Sequence, residues 1–256
     1  MFDTGGMVKT GLDVAPTSET KTEVLRRLRR QLETNSLAIN TVVPVPDAFT
    51  PLFPSPGLQR GRLVTVSGNG GWSVGFALAG AAASTRGWVA MVEVGNAGFR
   101  SAQEVGLPLE RLLVLQSIPV SKLSSVVAAL VEVVEVVVVN PRRPIKVRDA
   151  RRLRARIQEQ QALLISLDGG RHWPDKLDVE LETGTNRWTG LGSGHGVLQS
   201  REFEIVATGR RSLSGTQRRV RVQRGSGRFV PCVPDIVGRE AGADHGLVDS
   251  LSSLSK

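Results

Sequence analysis

The chain has 256 residues, a formal net charge of +9, a sequence pI near 10.8, one cysteine and no tyrosine. Cys232 alone cannot form an internal disulfide, which fits a reducing compartment, and the longest apolar run, Val126 to Val139, is 14 residues interrupted by Glu132 and Glu135, too short for a membrane span. The expectation is therefore a soluble cytoplasmic globular protein whose basic surface favours polyanionic or acidic partners, although the lack of tyrosine weighs against several stacking platforms for bases.

Residues 1 to about 20 show no hydrophobic period and no charged-then-apolar signal pattern, and read as a loose arm. Thr20 to Glu33 follows as a helix with Val24, Leu25, Leu28 and Leu32 on one face and Arg26, Arg27, Arg29 and Arg30 flanking it. That face either docks on the rest of the chain or binds a partner through Leu25, Leu28 and Leu32. Residues 41–60 are punctuated by proline and predict an extended linker. The division expected is an arm and helix over 1–40, a core over 41–231 and a flexible tail over 232–256.

Leu63 to Val66 predicts a buried strand, Ser67 to Gly71 a glycine-rich turn, and the residues up to Ala82 a helix. Strands follow at Trp88–Val94, Arg111–Leu115, Glu135–Val139 and Ala162–Leu167, separated by helices at Gly98–Val105, Ser121–Val131 and Arg148–Gln161. Strands alternating with helices at this spacing give an α/β fold with a mostly parallel central sheet and helices on both faces. After Gly170 the pattern becomes antiparallel: Leu177–Glu182, Arg187–Thr189, Glu202–Ala207, Arg218–Gln223 and Arg228–Val230 are short strands separated by glycine turns, and Gly190 to Gly196 reads as a flexible hairpin-like loop.

Strand, glycine turn and helix together are the device that cradles nucleotide phosphates on backbone N–H groups. Set on the pattern G-x-x-x-x-G-K-[ST] from Gly68, through Gly70 and Gly71, the last three slots hold Ser73, Val74 and Gly75. The phosphate-binding lysine is a valine and the magnesium hydroxyl is absent. Set against a RecA-type ATPase, which this order of elements resembles, the slot of the metal-binding aspartate holds Asn140, and that of the water-orienting glutamate falls near Gly95, with Glu93 two residues away. The turn is read as retained for the fold, or as a weak anion site; hydrolysis of ATP is not expected, and neither is a cofactor. His172, His195 and His245 lack ligand spacing, so no metal site is expected.

Two segments concentrate arginine. Residues 142–156 carry eight bases against Asp149, with Arg148, Arg152 and Arg156 on one helical stripe opposite Leu153 and Ile157. Residues 201–230 carry eight arginines, Arg218, Arg219 and Arg221 among them, against Glu202 and Glu204. Each stripe is either a solvated face or a set of phosphate contacts for DNA.

The order of strands and the vacated turn resemble a RecA-type core: Val105 to Val114 precedes a core strand, Glu135-Val-Val-Val-Val-Asn140 stands at the metal-site strand, and Leu177 to Glu182 and Arg218 to Gln223 resemble the terminal strands. More specifically, Pro56-Gly-Leu-Gln-Arg-Gly61, Arg187-Trp-Thr-Gly-Leu-Gly-Ser-Gly-His-Gly196 and Glu204-Ile-Val-Ala-Thr-Gly-Arg-Arg211 resemble the actinobacterial ImuA′ family, a degenerate RecA-like group, over roughly residues 45–230. That resemblance implies a non-catalytic accessory role in DNA-damage-induced mutagenesis, beside an ImuB-like inactive Y-family polymerase homologue and an error-prone DnaE-type polymerase. Alternatives left open are a DNA-binding module that meets single-stranded DNA or modulates RecA filaments, and a divergent RecA-type ATPase.

Overall fold

A strand of four consecutive valines has branched β-carbons on both faces and suits only a position covered on both sides. Val136–Val139 occupies such a position, every residue buried, in the interior of the main sheet with a strand on either side. The structure is a computed structural model and describes residues 42–54, 57–83, 87–174, 177–191, 196–209, 217–225 and 227–232. The amino-terminal arm, the helix carrying Leu25, Leu28 and Leu32, the loop residue His195 and the tail lie outside those residues.

In chain order the described elements are β1 (Val42–Val43), a 3-10 turn (Asp47–Leu52), β2 (Leu58–Gln59), β3 (Leu63–Gly68), α1 (Gly71–Ala82), β4 (Val89–Val92), α2 (Phe99–Glu104), β5 (Leu112–Leu115), α3 (Val120–Leu130), β6 (Val136–Val139), α4 (Val147–Gln160), β7 (Leu163–Ser166), β8 (Val179–Leu191), β9 (Gly196–Thr208), β10 (Arg218–Arg224) and β11 (Phe229–Pro231). Nine strands form one sheet in the order β11-β10-β9-β8-β3-β7-β6-β4-β5. All pairings from β5 to β8 are parallel and those from β8 to β11 antiparallel. This is the mostly parallel α/β sheet with an antiparallel carboxyl-terminal extension that the alternation of helix and strand patterns predicts.

Alternating side chains along each strand serve two cores. Val64, Val66, Met91, Val136, Val138, Ile165, Val179 and Leu181 face α1 and α2, together with Phe203, Ile205 and Val222 from the extension. Leu63, Ala90, Val92, Val137, Val139 and Leu164 face α3 and α4. Helix α1 is apolar nearly all round and is buried accordingly. Helix α4 is the opposite case: Leu153 and Ile157 hold it to the sheet while its arginines point outward.

Two expectations need correction. Residues 41–60 are not an extended linker. Prolines do punctuate them, but Pro51 sits inside a 3-10 turn, and Phe49, Leu52, Phe53 and Leu58 are buried in the first core. Phe49 packs on Phe229 with ring centroids 4.9 Å apart, and Phe229 meets Phe203 edge-on at 5.6 Å. Aromatic burial overrides what the prolines suggest. The second correction concerns Leu177–Glu182 and Arg187–Thr189, which belong to one long strand. A register shift between Thr183 and Asn186 lets β8 continue past the Gly184 region, so a sequence that reads as a turn is a β-bulge. β9 likewise begins at Gly196, well before the expected Glu202, and Leu191 pairs with Gly196; residues 192–195 of the predicted loop lie outside the described residues.

The packing of the proline-rich segment is testable. Phe49→Ala is expected to lower the unfolding free energy by about 3–5 kcal/mol, whereas Val114→Ala, on the exposed face of edge strand β5, should stay within about 0.5 kcal/mol. Urea unfolding of both variants measures the difference; near-equal effects would contradict it.

Candidate functional site at the carboxyl edge of the sheet

The parallel strands all end on one edge, which collects the turn after β3, Glu93 after β4, Asn140 after β6 and Asp168 after β7. In the turn, Gly68 has φ +84° and Gly70 φ +106°, backbone conformations that side chains with a β-carbon rarely adopt. A β-carbon on Gly68 would run into the Thr183 carbonyl of β8. The Thr183 hydroxyl donates to Ser67 O at 3.0 Å, tying the turn to the neighbouring strand. Gly70 caps α1 without a side-chain hydrogen bond, and the first turn of the helix contains no acid. Its N–H groups and positive dipole end are therefore not neutralised locally.

Val74 and Gly75 fill the slots where a lysine and a hydroxyl would serve a nucleotide. Val74 is fully buried in the first core. Gly75 lies so close to the sheet that an added β-carbon would sit 2.5 Å from Leu167 Cδ2. Both positions point toward packing and away from the mouth of the turn. Ser73 does face outward, and its hydroxyl accepts a hydrogen bond from Arg224 Nη1 at 3.1 Å.

Glu93, at φ +56°, accepts the Ile118 N–H on Oε1 at 2.6 Å, and its Oε2 lies 3.8 Å from Arg142 Nε. That carboxylate is clamped between a loop and an arginine. Asn140 is half-buried and its backbone N–H continues the ladder to Val92 O at 3.1 Å. Asp168 is buried and fully engaged: Ser166 Oγ donates to Oδ1 at 2.7 Å, Gly170 N to Oδ1 at 3.0 Å and His172 N to Oδ2 at 2.9 Å, while His172 Nδ1 lies 3.0 Å from Oδ2. Trp173 Nε1 closes the network on Ser166 Oγ at 3.0 Å. Its geometry is that of an Asx turn that organises the loop after β7. Among the described residues no group of three or more His, Cys, Asp or Glu is placed to hold a metal ion.

The predicted basic residues do not form one surface. Arg148 and Arg152 are exposed on α4, but Arg156 is drawn into ion pairs with Glu132 and Glu159, both at 3.0 Å. In β10, Arg218 lies on the face of Val222 and donates to Phe53 O at 3.3 Å. Arg219 and Arg221 take the opposite face, where Arg219 lies 3.8 Å from Glu204 and Arg221 stands opposite Glu204 in register. Glutamates of β9 thus offset much of the charge on that face.

Two arginines that the sequence reading did not single out approach the turn more closely. Arg201 of β9 donates from Nη2 to Asn69 O at 2.6 Å and to Asn69 Oδ1 at 3.0 Å, and its guanidinium covers Gly70. Arg224 of β10 reaches Ser73, and from Nη2 donates to Ser101 Oγ at 2.6 Å, with Glu104 Oε2 at 3.5 Å. Burial, then the Arg224 cation, pulls the Arg201 guanidinium below the ordinary arginine value. Burial also lowers Arg224, and Glu104 opposes that shift. No local motif marks these residues, because what joins them to the turn is the register of three antiparallel strands.

Residues 51–175 match the family model described as the MT3502 N-terminal domain, a match that covers α1 to α4 and strands β3 to β7 and stops before the antiparallel extension. No curated protein matches the chain. Among solved structures, the crystal structure of SulA from Pseudomonas aeruginosa is similar at 15% identity and a TM-score of 0.35, covering 41% of this chain and 93% of that one. Among the described residues no helix is long and apolar enough to cross a membrane.

Restoring the nucleotide-binding lysine tests the reading of the turn. Val74→Lys puts an unpaired cation into a fully apolar position, and is expected to cost about 3–5 kcal/mol in urea unfolding without creating magnesium-dependent ATP binding. A stable variant that binds ATP with magnesium would show that position 74 can face the phosphates.

Proposed function

We propose that this chain is a non-catalytic accessory protein of the ImuA′ type, a RecA-like scaffold that docks an ImuB-like inactive polymerase homologue and supports error-prone translesion synthesis with a DnaE-type polymerase. The observation that carries the non-catalytic part is the seating of α1: Val74 is buried, and a β-carbon on Gly75 would sit 2.5 Å from Leu167 Cδ2, so that Leu167 would have to shift to admit a hydroxyl-bearing side chain. Glu93, the nearest carboxylate to the water-orienting slot, is held by Ile118 N–H and Arg142. Asn140 brings no negative charge to its strand end. The choice of family and partner is supported by the three motifs at 56–61, 187–196 and 204–211.

A scaffold of this kind presents surfaces in place of a reaction centre. The amphipathic segment with Leu25, Leu28 and Leu32 and the acidic tail after Cys232, which carries Asp235, Glu240, Asp244 and Asp249, offer two different chemistries for docking. A second reading, a nucleic-acid-binding module, is favoured by the net charge of +9 and the exposed Arg148 and Arg152.

Co-purification with an ImuB-like polymerase homologue tests the first reading. Deleting residues 1–40 or residues 233–256 is expected to lower capture by at least about tenfold for one of the two truncations, a loss of about 1.4 kcal/mol in binding. Full capture by both would place docking on the core, and no capture by the intact chain would remove the adaptor reading.

A further inference from the structure

Cross-strand register places three side chains in a row on the face of the sheet that carries α1. Arg201 of β9 stands opposite Trp188 of β8 on one side and opposite Arg224 of β10 on the other. Two arginines directly opposite in an antiparallel pair repel one another, which costs stability unless something between or beside them is anionic. Among the described residues, Glu104, half-exposed, lies 3.5 Å from Arg224 and is shared with Arg100 at 3.6 Å. The two arginines also donate to the neutral groups of Asn69, Ser73 and Ser101. The row also lies against the amino end of α1, whose first turn has no acid and no side-chain cap. Two cations and a positive helix end thus converge on the same corner, beside the half-exposed Glu104 carboxylate.

Trp188 gives this corner its second property. Its indole is 52% exposed although it is the largest side chain of the hairpin, and Arg201 Cζ lies 5.0 Å from its ring centroid. The guanidinium is further steadied by Phe203, whose centroid is 5.3 Å away. An exposed ring held beside arginines offers a flat apolar surface next to anion-binding groups. Those two elements, a stacking face and phosphate-seeking guanidiniums, are what a nucleotide unit needs. The hairpin is open, with Leu191, Val197 and Leu198 exposed beyond Trp188, and is not the concave pocket that retains a small molecule. An open row suits a chain that continues past the site on both sides.

We propose that the row Trp188–Arg201–Arg224, together with the amino end of α1 at Gly70 to Ser73, binds one nucleotide unit of single-stranded nucleic acid. The phosphate sits between the two guanidiniums, offsetting their repulsion, and the base stacks on Trp188. This binding needs neither magnesium nor the lysine missing at position 74. It also differs in place from the arginines of α4 and from Arg219 and Arg221, which belong to the other face. The row would bind a strand whether or not the chain docks a polymerase homologue.

Fluorescence anisotropy of a labelled oligothymidylate of about 20 nucleotides with the full chain provides the test. The intact protein should bind without magnesium, with log K falling as log salt rises. Trp188→Ala is expected to weaken binding by about tenfold, within the range for one stacked base, and circular dichroism of the variant checks that it folds. Arg201→Gln should weaken binding and reduce the salt slope by about 0.7, the value for one lost phosphate contact on a single strand, while Arg201→Lys, which keeps the charge, should keep most of the slope. The control Lys122→Gln, which removes one exposed charge from α3, should bind within about twofold of wild type once compared at high salt, where long-range charge is screened. The proposal is overturned if the intact chain binds no oligonucleotide, or if Trp188→Ala and Arg201→Gln bind as wild type does. Competition by inorganic phosphate or ATP as strong as that of unlabelled oligonucleotide would also overturn it, by assigning the corner to a free anion or nucleotide.

Discussion

The close seating of α1 on the sheet is the contact on which the rest of the structure depends. With Gly75 almost touching Leu167 of the β7 end, and Val74, Leu78 and Ala79 buried below, the helix axis lies nearer the strands than any residue with a β-carbon at position 75 would allow without a shift in Leu167. That approach fixes the height of the helix amino end, and therefore the path of the turn from Ser67 to Gly71. Thr183 then locks the turn from the side, and β8 carries the lock into the antiparallel extension. On the proposed reading, the same seating replaces the chemistry that a phosphate-binding turn ordinarily supports. A side chain at 74 or 75 belongs to the core, and the cost of burying a charge there is far larger than any single contact to a ligand would return.

Electrostatics at the carboxyl edge follow from what packing leaves over. The acids of this edge are committed to local bonds: Asp168 to the backbone of its own loop, Glu93 to Ile118 and Arg142, and Glu204 to Arg219 across the sheet. Arg201 and Arg224 stand opposite each other beside the amino end of α1, with Glu104 near Arg224, and both are held below the ordinary arginine value chiefly by burial. A protein with a net charge of +9 could spread its positive charge evenly. This one places part of it in a partly desolvated corner, where an approaching anion interacts more strongly than at the surface.

The parallel half of the fold was legible because its signals are local and strong. Four-residue apolar strands such as Val136–Val139 and Leu163–Ser166, each followed by a helical pattern, leave few alternatives, and the observed boundaries fall within one or two residues of those expected. The glycine turn and its vacated slots were likewise visible as sequence. What escaped was non-local. Pro51 and its neighbours read as a linker because proline is a local signal, whereas the burial of Phe49 depends on Phe229, 180 positions away in the chain. Gly184 read as a turn because a bulge differs from a turn only in its partner strand. Arg201 and Arg224 had no spacing to mark them, since their meeting is set by the pairing of β9 with β10. Even the arginines that were singled out divide according to strand parity, with Arg218 directed to Phe53 O and Arg219 to Glu204. That parity could be read once the strand was placed, but not which face was packed.

The central claim is that the turn after β3 is a structural element whose nucleotide chemistry has been replaced by packing. Single-turnover incubation of the full chain with ATP, with and without magnesium, tests it most directly, because magnesium dependence separates a working phosphate site from simple attraction to a basic surface. The account predicts no release of phosphate and no gain in ATP affinity on adding magnesium. Phosphate release, or magnesium-dependent binding that Asn140→Ala abolishes, would contradict it and would make the carboxyl edge a nucleotide-driven switch.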